Sequence, residues 1–204
     1  MRNYLLFLIS IGFVFILTSC AASTASLNSY VDPSFSNETI KRLAVFPIRN
    51  TKFAPSEAQQ INRKVSQRIG RKNKNIDIMS SNEAIILLND NDMSSEWARF
   101  LDNYNSSGIP DANILYKVGE VLKIDGIVQG EIVDLIQHDG RYGANKGTTR
   151  VTVRFSMLST NSGKLLWEAS SEGLRTTSTT LESAPPLIEA VNLAVDKILS
   201  NLPL

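Results

Sequence analysis

One pair of alternating segments constrains the fold of this 204-residue chain more than any other feature. From Val151 to Met157, apolar side chains alternate with polar ones, and the same period of two returns from Leu165 to Ala169. Asn161-Ser162-Gly163 lies between the two segments and is typical of a tight turn. Because neighbouring side chains of a strand point to opposite faces, one face of this hairpin should lie against a core. The other face should meet water or a partner.

Hydrophobic periodicity predicts the elements around this hairpin. The β-forming run from Arg42 to Ile48 is typical of a buried strand. Ser56-Glu57-Ala58-Gln59 has the form of a capping box that would begin a helix over 56–71, and Asp111 is placed to cap a later helix. The remaining predicted elements are strands at 76–79 and 124–134 and helices at 82–88, 94–103, 111–122 and 184–202.

The predicted fold class is α+β, because the helices segregate from an antiparallel meander. We expect a single mixed or antiparallel sheet with helices packed against it, in the rough order β-α-β-α-α-β-β-β-α. Trp97 and Trp167 are interpreted as core residues, with an interface role as the alternative. Gly126 and Gly130 would let a helix approach the strand that contains them.

The first residues of the chain have the pattern of an export signal. Arg2 precedes an apolar run from Leu5 to Leu17, which is shorter than the ~20 residues that a membrane-spanning helix needs. Leu17-Thr18-Ser19-Cys20 resembles a bacterial lipobox, and Cys20 is the chain's one cysteine. The resemblance implies cleavage before Cys20, a diacylglycerol on its thiol and an acyl chain such as palmitate on the new amino group. Several acyl chains at one residue would anchor the protein stably.

The segment after the lipobox predicts how the chain is divided. Residues 1–19 would be a lipoprotein signal peptide. Residues 20–39 would be the lipidated cysteine and a flexible tether, because they are rich in Ser, Ala, Thr and Asn and lack apolar periodicity. Residues 40–204 would form an α+β interaction domain. No Asp follows Cys20, so sorting of the enteric type would place the anchor in the outer membrane and the domain in the periplasm.

Charge and residue counts argue against several function classes. The chain has 21 Lys and Arg residues against 20 Asp and Glu, so no excess of positive charge favours binding to nucleic acid. One cysteine and one histidine are too few for a disulfide framework or a standard zinc site. His138 lies in a predicted polar loop beside Asp139, which favours a solvated residue over a catalytic one. We therefore predict no catalytic residue, no cofactor and no metal.

Two weaker patterns are better explained as solvated loops. Oxygen-bearing side chains at Asp90, Asp92, Ser94 and Glu96 hint at a hard cation, but the turn glycine and distal glutamate of a calcium loop are missing. The glycine-rich residues 138–147 hint at a phosphate loop. However, they join two predicted strands, whereas a phosphate loop joins a strand to a helix.

A basic stretch without acidic residues lies at the end of the first predicted helix. The simpler interpretation is a solvated face whose cations also suit the helix dipole. The alternative is a contact with an anionic partner, such as lipid phosphates, an anionic glycan or an acidic protein surface. The candidate contact residues are Arg63, Lys64, Arg68, Arg71, Lys72 and Lys74.

Several strings together resemble a superfamily of bacterial envelope lipoproteins and periplasmic domains. The strings are Leu43–Pro47, Asp125–Gly130 and Asn161–Trp167, in this order after a lipobox. The superfamily includes the curli-secretion channel protein, the penicillin-binding-protein activator lipoproteins and domains like the amino-terminal part of TolB. The resemblance implies the α+β fold over about residues 40–202 and a role through protein–protein contact. It implies no functional residue beyond Cys20.

The sequence therefore favours a membrane-anchored, non-enzymatic lipoprotein that acts as an interaction or assembly module in an envelope complex. Three alternatives stay open: an accessory subunit of an export assembly that packs as a homo-oligomer, a regulator of a peptidoglycan synthase, and an envelope hydrolase. The loop at 138–147 is too short and polar for a membrane-inserting hairpin, so this chain should not form a pore alone. A tether of residues 21–39 would also be short for crossing the peptidoglycan layer.

Overall fold

The computed structural model describes residues 23–37, 39–49 and 53–204. Within these residues, the chain forms one sheet and five α-helices, which confirms the α+β class. The strands are β1 (Ser23–Ala25), β2 (Asn28–Val31), β3 (Arg42–Val45), β4 (Asp77–Met79), β5 (Gly126–His138), β6 (Thr148–Ser159) and β7 (Leu165–Thr176). The helices are α1 (Pro55–Lys72), α2 (Ser81–Asp90), α3 (Ser94–Ser107), α4 (Ala112–Leu122) and α5 (Leu187–Ser200), and a 3-10 turn occupies Phe35–Asn37.

The sheet is mixed, with the spatial order β1-β7-β6-β5-β3-β4 and with β2 also paired to β7. β3 runs parallel to β4 and β5, and the other pairs are antiparallel. The β6–β7 register sets Phe155 opposite Ala169 and Met157 opposite Trp167, which confirms the hairpin that the alternation predicts. Three helices lie between β4 and β5, which matches the helices predicted at 82–88, 94–103 and 111–122, although the rough predicted order has only two there.

Two hydrophobic cores lie on opposite faces of the sheet. On one face, α5 covers β6 and β7, and α1 lies beside it over β3 and β4. Val153, Phe155 and Trp167 are buried on this face. On the other face, α2, α3 and α4 cover β3 and the start of β5, and Phe46 and Trp97 are buried there. Both tryptophans are therefore core residues, as predicted. None of the helices in the described part of the chain is long and apolar enough to cross a bilayer.

Helix starts follow local side-chain chemistry, with one correction. The Asp111 carboxylate accepts a hydrogen bond from the Asn113 amide at 3.0 Å, which confirms the predicted cap of α4. The predicted capping box at Ser56 is wrong, because α1 already begins at Pro55, whose fixed backbone suits a first helical position. Glu57 instead reaches back to accept from the amide of Ala54 at 3.0 Å.

The expectation of a flexible tether is wrong for residues 23–31. They form β1 and β2, which pair one after the other with the outer edge of β7. Main-chain bonds continue between and beyond them, from the Ser26 amide to Glu172 O at 3.2 Å and from the Asp32 amide to Leu166 O at 2.9 Å. The side chains of both strands are mostly exposed, so pairing along this edge needs no apolar periodicity in the sequence. Cys20 and the predicted signal segment lie outside the described residues.

The close contact at Gly130 also differs from the prediction that a helix would approach the sheet there. A Cβ on Gly130 would lie 2.4 Å from the Phe155 ring, so this glycine admits an aromatic side chain of the neighbouring strand and not a helix. A helix does approach β7, at a position that the sequence pattern does not mark. A Cβ on Gly173 would lie 2.0 Å from the carbonyl oxygen of Ala190 in α5. Gly173 is therefore the point where α5 rests directly on the sheet.

Candidate functional site

Part of one sheet face is not covered by helices within the described residues. Helices α2–α4 bury the side chains of β3 and of the first residues of β5, such as Ile127. Farther along β5 and across β6 and β7, the side chains on the face opposite to buried Val151, Val153 and Phe155 are mostly polar and partly exposed, with Ile136 and Leu174 on either side of Arg150. We call this surface the open face, and it consists of Tyr30, Glu131, Arg150, Arg154, Glu168 and Glu172.

Opposite charges pair across the strands of the open face. The Nε atom of Arg154 donates to Oε1 of Glu131 at 2.7 Å, and Nε of Arg150 lies 3.8 Å from Oε1 of Glu172. Glu168 accepts from the Ser156 hydroxyl at 3.0 Å. The exposed pair of Arg150 and Glu172 contributes only about 0–1 kcal/mol, so a partner could exchange it for its own charges at little cost. The pair of Arg154 and Glu131 is more buried.

A cleft of about 670 Å³ opens beside the open face, between α3 and the adjoining strands. Arg49 borders it and is held by Asp102, with Nη2 of the arginine and Oδ1 of the aspartate 2.9 Å apart. Buried Gln129 borders it too, and its Nε2 atom donates to the carbonyl oxygens of Pro47 and Gly130 at 2.9 and 2.8 Å. The Oε1 atom of Gln129 is buried without a hydrogen-bond partner in the part of the chain that the structure describes.

Tyr104 of α3 is buried against the sheet, next to Ser156. Burial against the sheet raises the pKa of its hydroxyl above the ordinary value, and a hydrogen bond with Ser156 partly opposes this. The phenol therefore stays protonated at all ordinary pH values. The open face thus offers arginine and glutamate side chains that are paired with one another, which is chemistry suited to binding polar groups.

The basic stretch on α1 is divided by the structure. Lys64 donates to Asp196 Oδ2 at 2.8 Å and to Asn192 Oδ1 at 2.9 Å, and Arg68 lies 3.6 Å from the same aspartate. Lys72 donates to the carbonyl oxygen of Leu202. These three cations therefore fasten α1 to α5 and to the chain end.

The other three cations of that stretch have no ion pair among the described residues. Arg63, Arg71 and Lys74 are exposed on the outer side of α1 and just beyond it. Arg63 also borders a cleft of about 290 Å³ beneath the helix, beside Asn62 and Ser81. A partner contact through these residues stays a prediction.

The other sequence candidates are placed apart from one another. His138 ends β5 opposite Thr148, and the neighbouring Asp139 accepts from the Ala184 amide at 2.8 Å. Glu96, one of the oxygen ligands hinted at for a cation, pairs instead with Lys117 at 2.9 Å. No group of three metal-binding side chains occurs within residues 23–37, 39–49 and 53–204.

Asp125 has a structural role that the sequence analysis did not find. Its Oδ2 atom accepts from the amides of Lys41 and Arg42 at 2.8 and 2.9 Å, and Oδ1 accepts from Asn161 at 3.3 Å. Partial burial alone would raise the pKa of this carboxyl, but the hydrogen bonds hold it below the ordinary value. Asp125 therefore joins the starts of β3 and β5 to the turn between β6 and β7.

No family model matches this chain, and no curated protein matches it. Among solved structures, the PelC dodecamer from Paraburkholderia phytofirmans is 16% identical, with a TM-score of 0.44, over 87% of this chain and 96% of that chain. Lipoprotein GNA1162 from Neisseria meningitidis is 13% identical, with a TM-score of 0.43, over 78% and 98%. The LpoB C-terminal domain from Salmonella enterica is 9% identical, with a TM-score of 0.40, over 69% and 92%. These are distant likenesses, and they assign no role to any residue of this chain.

Proposed function

We propose that this chain is a bacterial envelope lipoprotein whose domain binds other envelope proteins and catalyses no reaction. A lipid on Cys20 holds it to a membrane, and the open face receives the partner. The lipobox resemblance supports the anchor. The observation that carries the binding role is the open face itself, a strand surface that the helices leave uncovered in the described part of the chain.

The chemistry of the open face suits a protein partner. Tyr30 and the two arginines, Arg150 and Arg154, are residue types that are enriched where proteins meet. Tyr30 is 50% exposed, and its register opposite Glu168 sets it beside the charge pairs. An aromatic anchor next to exchangeable charges can give a partner both contact area and orientation.

The anchor is tested by replacing its thiol. In whole cells, Cys20→Ala should move the protein from the membrane fraction to the soluble fraction, because no acyl chain can then be attached. Ser19→Ala is a matched control, since it leaves the cysteine and a small residue before it. Membrane association that persists in Cys20→Ala would contradict the lipid anchor.

The binding role is tested by photo-crosslinking in whole cells. A benzophenone amino acid at Tyr30 should form crosslinks to another protein, identified by mass spectrometry. The same group at Tyr116 is a matched control, because this tyrosine is 44% exposed but lies on α4, away from the open face. Crosslinking at 116 with none at 30 would refute the open face as the binding surface.

The identity of the crosslinked protein separates the remaining interpretations. Crosslinks to a second copy and to export components would favour an assembly subunit, and crosslinks to a peptidoglycan synthase would favour a regulator. An envelope hydrolase requires a measurable reaction. If activity were found and His138→Ala left it unchanged, a histidine-based mechanism would be excluded.

A further inference from the structure

The register of the sheet fixes the end at which the chain enters the domain. Ser23 is the first residue of β1 and lies opposite Arg175 of β7. Arg175 lies opposite Thr149 of β6, and Thr149 lies opposite Gln137 of β5. Ser23 therefore lies at the end of the sheet that contains the end of β5, the start of β6 and the end of β7.

Two loops form the surface at this end of the sheet. They are residues 139–147, between β5 and β6, and residues 177–186, between β7 and α5. We call them together the end loops. Cys20 precedes Ser23 by three residues, so their Cα atoms can be at most about 11 Å apart.

We propose that the end loops rest on the bilayer that holds the lipid anchor, with Tyr142 and Leu181 in its headgroup layer. This inference rests on the proposed lipidation of Cys20. With a connection of three residues, the anchor brings this end of the sheet next to the membrane.

The end loops are joined by main-chain contacts. The Gly140 amide donates to Glu182 O at 3.0 Å, and the Thr177 amide donates to Gly147 O at 2.9 Å. Both glycines are needed for this approach, because a Cβ would lie 2.6 Å from Thr180 O at position 140 and 2.8 Å from Glu182 O at position 147. The end loops are therefore held as one frame.

The frame presents two large apolar side chains to the outside. Tyr142 is 86% exposed and Leu181 is 71% exposed, one on each loop. Arg141 and Lys146 flank the tyrosine in the chain. A tyrosine ring, a leucine and long cationic side chains are the groups that suit the boundary between water and lipid.

The carboxylates of the end loops accept hydrogen bonds from other residues of these loops. Asp139 accepts from the Ala184 amide, and Glu182 accepts from the Thr179 hydroxyl at 2.7 Å and from Ser178 at 3.1 Å. With Arg141 and Lys146 the charges of this end roughly balance. The contact therefore depends on the anchor and on the two apolar side chains more than on the charge of the lipid.

An equally exposed apolar residue marks the opposite end of the molecule. Ile109 is 73% exposed and precedes α4. The start of α4 packs on the turn between β6 and β7, where a Cβ on Gly163 would lie 2.4 Å from the Ala112 side chain. β6 has 12 residues and at ~3.3 Å per residue spans about 40 Å, which places Ile109 far from the end loops.

The experiment uses the full lipidated protein in vesicles of phosphatidylethanolamine and phosphatidylglycerol. Because lipidation occupies the thiol of Cys20, a new cysteine is the one free thiol and can carry an environment-sensitive fluorophore. We would label Tyr142→Cys, Leu181→Cys and the matched control Ile109→Cys. The measurement is quenching of each fluorophore by lipids with a spin label near the headgroup, together with flotation of the vesicles.

The expected result is flotation of all three proteins, with strong quenching and a blue shift at 142 and 181 and neither effect at 109. Flotation without quenching at 142 and 181 would overturn the orientation and leave the anchor intact. Equal quenching at all three positions would also overturn it. Failure of the protein to float would refute the anchor of the proposed function, and the orientation with it.

Discussion

Replacing Gly173 by Ala should destabilise the whole domain, because α5 rests on the sheet at this residue. The new methyl carbon would lie 2.0 Å from the carbonyl oxygen of Ala190, and this atom belongs to the helix backbone. Ordinary contact requires more than 3 Å, so α5 would have to move by roughly 1 Å or more. That movement would loosen the packing of Val191 and Val195 in the core beneath the helix.

The expected cost follows from what overpacking does in well-packed cores. It is usually about 1–3 kcal/mol, and we expect the upper end here because no flexible side chain can move aside. For a protein of this size, 3 kcal/mol corresponds to a decrease in Tm of about 6–12 °C. Urea denaturation followed by tryptophan fluorescence measures it, since Trp97 and Trp167 report from opposite cores.

Gly70→Ala is the matched control for this substitution. Gly70 lies within α1, and a Cβ there would meet only the Ile78 side chain at an ordinary 3.8 Å. Alanine in a helix interior should then stabilise the protein by about 0.5–1 kcal/mol. If Gly173→Ala were as stable as the parent protein, the contact between α5 and β7 would be wrong.

Three further substitutions test other contacts. Asp125→Asn should remove stability at neutral pH. The folded state lowers the pKa of the Asp125 carboxyl, so its contribution to the free energy of unfolding is present above the unfolded pKa and is lost as pH falls through the folded pKa. The free energies of unfolding of the variant and its parent should therefore converge in acid. A constant difference from pH 7 to pH 2 would contradict this. Phe100→Ala should cost about 3–5 kcal/mol in urea denaturation, because this buried ring stacks 4.8 Å from Trp97; a loss under 1 kcal/mol would argue against the stack. Lys64→Met should cost less than about 1 kcal/mol and only at low salt, and an effect that survives 1 M salt would not fit a partly exposed ion pair.

The sequence predicts an element best where burial of side chains in the core both forms that element and sets its apolar pattern. The β6–β7 hairpin was predicted because alternate side chains enter the core, and Val153 and Phe155 do so. The strands at residues 23–31 cannot be predicted in this way, because edge pairing uses main-chain bonds and leaves no apolar pattern. The neighbour of Gly130 cannot be predicted either, because the ring that fills its space comes from Phe155, whose position opposite Gly130 depends on strand register.

Only parts of the candidate site can be predicted from the sequence, for the same physical reason. The basic stretch on α1 can be counted from the chain, but the roles of Lys64 and Arg68 depend on Asp196, which is distant in sequence. The open face was foreseen only as the wetter side of a hairpin. The position of the end loops beside Ser23 could not be foreseen, since it depends on three successive strand registers.

The pairing of β1 and β2 with β7 also determines how the domain would bear a mechanical load. A pull on the chain ahead of Ser23 acts along the axis of β1, toward the end of the sheet where the end loops lie. Hydrogen bonds of an antiparallel pair lie perpendicular to the strands, so such a pull shears the bonds together and does not peel them one at a time. The first hydrogen bonds to be loaded join β1 to β7, and the bonds between β2 and β7 are loaded after them. Tension from a membrane would therefore be spread along the edge of the sheet before it reached either core.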